Sequence, residues 1–302
     1  MATRNIVLCD AGAAVIGGAI DLGIVICVGD EGSIIAARSN VISNVVVVAT
    51  VASFLLSLAV LWKFLHRRND TFTNAVLMFR LPSSLLPILT AVLPSTASST
   101  TYLLTNLINS RCIATDIVLS LCGFVLSVGP PAIIILFWQT FCRGAHSSLS
   151  CVNERKLQVE KGHTNGAIRR FIGAQLAALS ARTHKWRYAA PHHNRQTLVD
   201  EETSLPLRMG WTILLEYRQL WFASLDLVII FLAACFGVAS GLEGVEQCRA
   251  FSLVVVAMFT AELVILCIAR PFTTVLSAVH TATCLFLTVL SATAQLIFVF
   301  LS

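Results

Sequence analysis

Long unbroken apolar runs dominate the chain, separated by short polar turns and one long basic stretch. A helix that crosses a bilayer needs roughly 20 mostly apolar residues to span about 30 Å of hydrocarbon. Six runs reach that length: Val41–Trp62, Leu81–Leu107, Ile113–Phe141, Trp221–Gly241, Phe251–Ala269 and Phe272–Leu301. A β-barrel would instead alternate apolar and polar residues over strands of about 10 residues. The pattern predicts an all-α integral membrane protein with six transmembrane helices. A seventh run near the N-terminus, Ala11–Val28, holds Asp21 at mid-length and Gly12, Gly17, Gly18 and Gly23 along it, and its crossing stays open. Leu81–Leu107 is the weakest of the six, interrupted by Pro82, Pro87 and Pro94 and by the hydroxyl-rich Ser95–Thr101. It reads either as a span kinked at a proline or as a re-entrant segment.

Composition agrees with the pattern. Of 302 residues, 56% are hydrophobic and 12% charged, against about 25% charged in soluble domains. Mean hydropathy is +0.81. A soluble enzyme, a disordered chain, a coiled coil and a collagen are excluded. There is no nucleophile elbow, phosphate loop, His-Glu-x-x-His or dinucleotide fingerprint, so no enzymatic activity, cofactor or nucleic-acid partner is expected.

Lys and Arg fix the expected orientation, because cytoplasmic loops carry the excess. With the end of Val41–Trp62 inside, the cytoplasm receives Lys63, Arg67, Arg68, Arg80, the basic residues from Arg143 to Arg218, and Arg270. The outside receives Arg38, Arg111 and Arg249, with Arg4 depending on the first run. If Leu81–Leu107 did not cross, the large basic loop would face away from Lys63–Arg68, so the charges favour crossing. Trp62, Trp138 and Trp221 then fall at cytoplasmic helix ends, where indoles prefer to sit. The resulting plan has an N-terminal segment (1–40), a three-span bundle (41–142), a basic cytoplasmic loop (143–220) and a second three-span bundle (221–302), with the C-terminus exoplasmic.

The 10 cysteines show no metal-type spacing. Cys122, Cys235, Cys267 and Cys284 sit inside spans as small apolar residues. Cys112 and Cys248 lie in short exoplasmic loops and are candidates for a disulfide between the third span and the fourth–fifth hairpin. Cys142 and Cys151 flank the inner end of the third span, as free thiols or palmitoylation sites. The sequon at Asn69 is expected in the cytoplasm, unglycosylated. Within the loop, Gly166–Arg182 has helical periodicity, with Arg169, Arg170 and Arg182 flanking an apolar face. It reads as a basic helix against the anionic inner leaflet, so the lipid bilayer is the main expected partner. His184, His192 and His193 read as a solvated loop rather than a metal site.

Ionisable residues at bilayer depth are costly and mark function or helix pairing. The set is Asp116, Asp226, Glu262 and His280, with Asp21 if its run crosses, and Arg270 at the inner turn between the last two spans. It reads as a cation path or as an internal charge pairing. Asp116, near an outer end, is expected to reach water. Gly237 and Gly241 form a Gly-x-x-x-Gly spacing that allows close helix packing, and a homo-oligomer is one use of it.

The stretch Leu214-Leu-Glu-Tyr217-Arg218-Gln-Leu-Trp221, followed by two spans and Arg270-Pro271-Phe272, resembles the membrane domains of transient-receptor-potential-like proteins of fungi and protists. It also resembles the C-terminal membrane region of kinetoplastid dispersed-gene-family surface proteins. Arg218, Trp221 and Arg270 carry the match, over roughly residues 211–302. The channel-like pattern often places an Asn in the last helix, where this chain reads Ser277-Ala-Val-His280. The resemblance implies a multi-pass plasma-membrane protein, the membrane module of a larger surface protein, with Gly32–Asn44 as the tail of its ectodomain. A cation-permeable channel is the alternative it implies, and a small-solute transporter is a further one.

Overall fold

A computed structural model describes residues 8–16, 22–27, 29–66, 76, 79–81, 83–143, 149–153, 184–188, 207, 209–242 and 245–301. Its helices are α1 (Ala11–Ile16), α2 (Gly32–His66), α3 (Leu86–Thr105), α4 (Ile113–Trp138), α5 (Trp211–Glu216), α6 (Leu220–Ser240), α7 (Val245–Ala269) and α8 (Val275–Leu301). Two strands, β1 (Leu149–Asn153) and β2 (His184–Tyr188), pair antiparallel with Leu149 opposite Tyr188.

Five helices, α2, α4, α6, α7 and α8, are long and apolar enough to cross a membrane. The chain is a multi-pass membrane protein with an all-α transmembrane body. α3 is less apolar, and its place in the bundle gives the reason. It packs against α2, α4 and α6, and Leu104 is its one exposed large apolar residue. A helix surrounded by protein needs no apolar face for lipid. It presents Thr96, Ser98, Ser99 and Thr100 to its neighbours instead, all buried. Pro87 falls in the first turn, where a missing N–H costs nothing.

Contacts along the helices fix their directions. Ser33 and Asn44 of α2 meet Tyr102 and Thr96 of α3, so these two run antiparallel. Arg38 near the start of α2 meets Asp116 near the start of α4. Ser224 in the first turn of α6 donates to the Pro131 carbonyl late in α4. Arg249 of α7 lies over Phe300 of α8, and Phe272 before α8 pairs with Tyr217 before α6. Each long helix, α3 included, therefore runs opposite to the one before it. The bundle has a cap end, carrying residues 8–16, 22–27, 29 and 30 and the starts of α2, α4 and α7. It also has a loop end, carrying the strand pair and α5.

Lipid offers no hydrophobic drive between helices, so packing relies on small residues and close approach. A Cβ on Gly123 of α4 would collide with Thr100 of α3. On α7, Cys248, Ser252, Val255, Phe259, Glu262 and Leu266 are all buried, at heptad spacing, and form one seam. The outward faces carry exposed Phe54, Phe64, Leu121, Leu136, Val264, Ile268 and Phe298, suited to lipid tails. The two expected three-span bundles are not separate, because Leu93 of α3 and Ile134 of α4 share a core with Leu227 and Ile230 of α6.

One run left open is described in part here, and two expectations are corrected. Ala11–Val28 is not one continuous helix: α1 ends at Ile16, and 22–27 is irregular, with positive φ at Gly23 and Cys27. Gly32–Asn44 is not a tail but the first part of α2, with Arg38, Ser39, Asn40, Ser43 and Asn44 all buried. His184 lies half-buried on a strand rather than in a solvated loop. Asn69, Arg169, Arg170 and Arg182 lie outside the described residues.

Candidate functional site: a stapled cap and an acidic cavity

The cap consists of residues 8–16, 22–27, 29 and 30, held against the starts of α2, α4 and α7. α2 reads it through side chains that its own helix leaves available. Ser39 and Ser43 accept hydrogen bonds from the backbone N–H of Ile24 and Leu22, at 3.0 Å each. Asn40 donates to the Val15 carbonyl. Irregular backbone beside a membrane bundle needs such partners, because lipid supplies none.

Arg38 is the centre of this end. It is 0% exposed. Its Nε donates to Asp116 Oδ1 at 2.6 Å and its Nη2 to Asp116 Oδ2 at 2.9 Å, a bidentate pair. Nη2 also meets Asp30 Oδ2 at 2.6 Å and Ser110 Oγ at 3.0 Å, while Nη1 donates to the Ile26 carbonyl at 3.1 Å. Ser110 donates in turn to Asp116. The guanidinium side chain beside Asp30 holds its carboxyl below the usual carboxylate range. Asp116 is 1% exposed and does not reach water as expected, because Arg38 neutralises it in place.

Two disulfides staple the cap. Cys9 joins Cys248 at the start of α7, and Cys27 joins Cys112 at the start of α4. The expected Cys112–Cys248 bridge is therefore wrong. Each cysteine has a partner in the N-terminal segment, which reaches both. Gly241 lies against the backbone of Asp10 and Ala11, and Gly237 is buried on α6.

At the loop end, the segment before α6 and the turn before α8 meet in space. Arg218 N–H donates to the Pro271 carbonyl at 2.6 Å, and Thr273 N–H to the Glu216 carbonyl at 3.0 Å. The rings of Tyr217 and Phe272 lie 5.2 Å apart, tilted by 34°, with Phe222 against Phe272 at 6.1 Å. Arg270 turns the chain with φ of 45°. This clip pins the entry of α6 to the turn before α8. Trp186 of β2 donates to the Tyr217 carbonyl at 2.9 Å and ties the strand pair to it.

Beside the clip opens a cavity of about 520 Å³ between α3, α5, α6 and α8. Its acidic residues are Glu216 and Asp226, and its hydroxyl-bearing residues are Thr90, Thr212, Tyr217, Thr281, Thr288 and Ser291. The remaining wall is mainly apolar, with Leu86, Ile134, Ile213, Leu227, Ile230 and Leu287. Burial pushes the Glu216 carboxyl above its usual range, and the charge of Asp226 adds to that.

The four expected intramembrane residues are thus divided. Asp226 lines the cavity. Glu262 lies fully buried on the α7 seam and is not part of the cavity lining. His280 is exposed on α8, its Nδ1 3.6 Å from Cys284 Sγ. Arg270 is exposed at the turn between α7 and α8. Sequence reasoning missed Glu216, Arg38 and Asp30. Glu216 had a signal, as a lone acid closing the apolar run Trp211–Leu215. Arg38 had one too, in a buried-looking stretch of Ser, Asn and Ala residues. No family model, curated protein or solved structure matches the chain.

Proposed function

We propose that the chain is a six-pass membrane module of a cell-surface protein, without enzymatic activity, resident in the plasma membrane. The cap end faces the exoplasmic space, and residues 143–220 with the strand pair face the cytoplasm. α3 completes the sixth pass as an interior helix. The observation that carries the orientation is the sorting of chemistry between the two ends. Both disulfides lie at the cap end, as an oxidising compartment requires. Arg80, Arg143, Arg218 and Arg270 lie at the other, as the positive-inside rule requires. Arg80 packs on Trp211 at 3.9 Å and Arg143 over Trp138 at 5.3 Å, both fitting interfacial anchors.

The module reading is supported by the resemblance of residues 211–302 and by a cap whose cross-links hold the bundle to its N-terminal side. An antibody to residues 143–210, used on native membranes, tests it. A band well above 32.7 kDa is expected. A single band at that mass contradicts a larger parent protein. Cation flux through reconstituted vesicles that Asp226→Asn abolishes would favour the channel alternative instead.

A further inference from the structure

The strand pair at the loop end is a two-sided ribbon, and its inward side carries a thiol. Along β1, Leu149 is buried, Ser150 exposed, Cys151 half-buried and Val152 exposed. Along β2, His184 and Trp186 are half-buried and Lys185 is exposed. That alternation puts Leu149, Cys151, His184 and Trp186 on one face, with Cys151 directly opposite Trp186. A bare two-stranded ribbon is marginal in water, so this face needs a surface to lie on. The end of α4 supplies it. The helix runs on into the turn Gln139–Arg143, which meets β1. Phe141 and Cys142 of that turn share an apolar cluster with Leu149 and Trp186. The hydrogen bond from Trp186 to the Tyr217 carbonyl holds the ribbon there.

This packing brings Cys142 and Cys151 close enough that charge on one acts on the other. Both are free thiols, and both are half-buried. Among the described residues, no group of three His, Cys, Asp or Glu side chains is placed to hold a metal, so the chemistry of the pair is that of a dithiol. Burial pushes the Cys151 thiol up, and the positive charge of Arg218 pulls it back. Cys151 is therefore the thiol with a cation at hand to support a thiolate. We propose that Cys142 and Cys151 form an oxidisable pair that closes to a disulfide by exchange with a small-molecule disulfide. The Cys151 thiolate attacks one sulfur of the small disulfide, whose other sulfur leaves and takes up a proton. The Cys142 thiolate then attacks the Cys151 sulfur of the mixed disulfide, and the second small thiol leaves. Two protein thiols become one disulfide, and the small disulfide is reduced to two thiols. Closure ties the ribbon to the end of α4. The inference rests on the packing of the ribbon and not on the compartment that the loop end faces.

The test exposes the full chain, in a neutral detergent at mildly alkaline pH, to oxidised glutathione. The reaction is quenched with acid, and the peptides are mapped without reduction. The expected product is a linked pair of peptides holding Cys142 and Cys151. It should form about tenfold or more faster in the folded chain than after unfolding in urea with dodecyl sulfate, because folding raises the effective concentration of one thiol at the other. Cys142→Ser should leave glutathione held on Cys151, since the thiol that resolves it is gone. The map of the unsubstituted chain decides even if that variant does not fold. Glutathione held on both thiols of the folded chain, no reaction at either, or closure no faster than in the unfolded chain would overturn the inference.

Discussion

At the residue scale, Arg38 decides most. A buried arginine is stable only because two carboxylates, a hydroxyl and a carbonyl receive its N–H groups. Removing one partner strands a charge, so Arg38→Met or Asp116→Asn should each cost about 3–5 kcal/mol. The two together should cost less than their sum. Thermal unfolding of the detergent-purified variants checks this, and strict additivity would deny the pair. Asp30 adds a pH dependence. Its folded carboxyl is lowered by Arg38, so its contribution is complete at neutral pH and lost as pH falls below the ordinary aspartate range. The Cys27–Cys112 bond should then be reduced faster by a phosphine in acid, and Asp30→Asn should flatten that profile. Gly123 is the third such residue. Gly123→Leu drives a side chain into Thr100 and should destabilise by about 1–3 kcal/mol, whereas Gly129→Leu meets open space and should not.

At the element scale, the cap and α3 show what a hydropathy pattern conveys and what it hides. The lipid-facing helices are plain in the sequence because lipid demands apolar side chains on them. Their ends are also legible, since Trp62, Trp138 and Trp221 mark one level. α3 was faint for the opposite reason: protein surrounds it, and Thr96 and Thr100 serve neighbours rather than lipid. The cap was illegible because its partners are distant in sequence. Cys9 and Cys248 are separated by 239 positions, and nothing local distinguishes their pairing from Cys112 with Cys248. The cavity was half legible. Asp226 stood out as an acid inside an apolar run, but its companion Glu216 came from a different element, and Glu262 proved to belong to a seam. Peptide mapping under non-reducing conditions should recover Cys9–Cys248 and Cys27–Cys112. A Cys112–Cys248 peptide would refute the cap as described. Losing one staple, as in Cys27→Ser, should cost about 2–4 kcal/mol and leave the helices folded.

At the scale of the whole molecule, the two ends differ in chemistry and not only in position. One is cross-linked and built around a buried ion pair. The other is basic, closed by the clip between Tyr217 and Phe272, and opens into an acidic cavity. α6 joins the halves, because it packs on α3 and α4 on one side and α7 on the other. The proposed topology has six alternating passes with the cap outside. An epitope inserted after Asp70, Lys161 or Ser302, one at a time, tests this in intact and permeabilised cells. Antibody should reach the third site on intact cells and the first two only after permeabilisation. Surface exposure of only one of the Asp70 and Lys161 sites would show that α3 does not cross, and exposure of both would reverse the orientation.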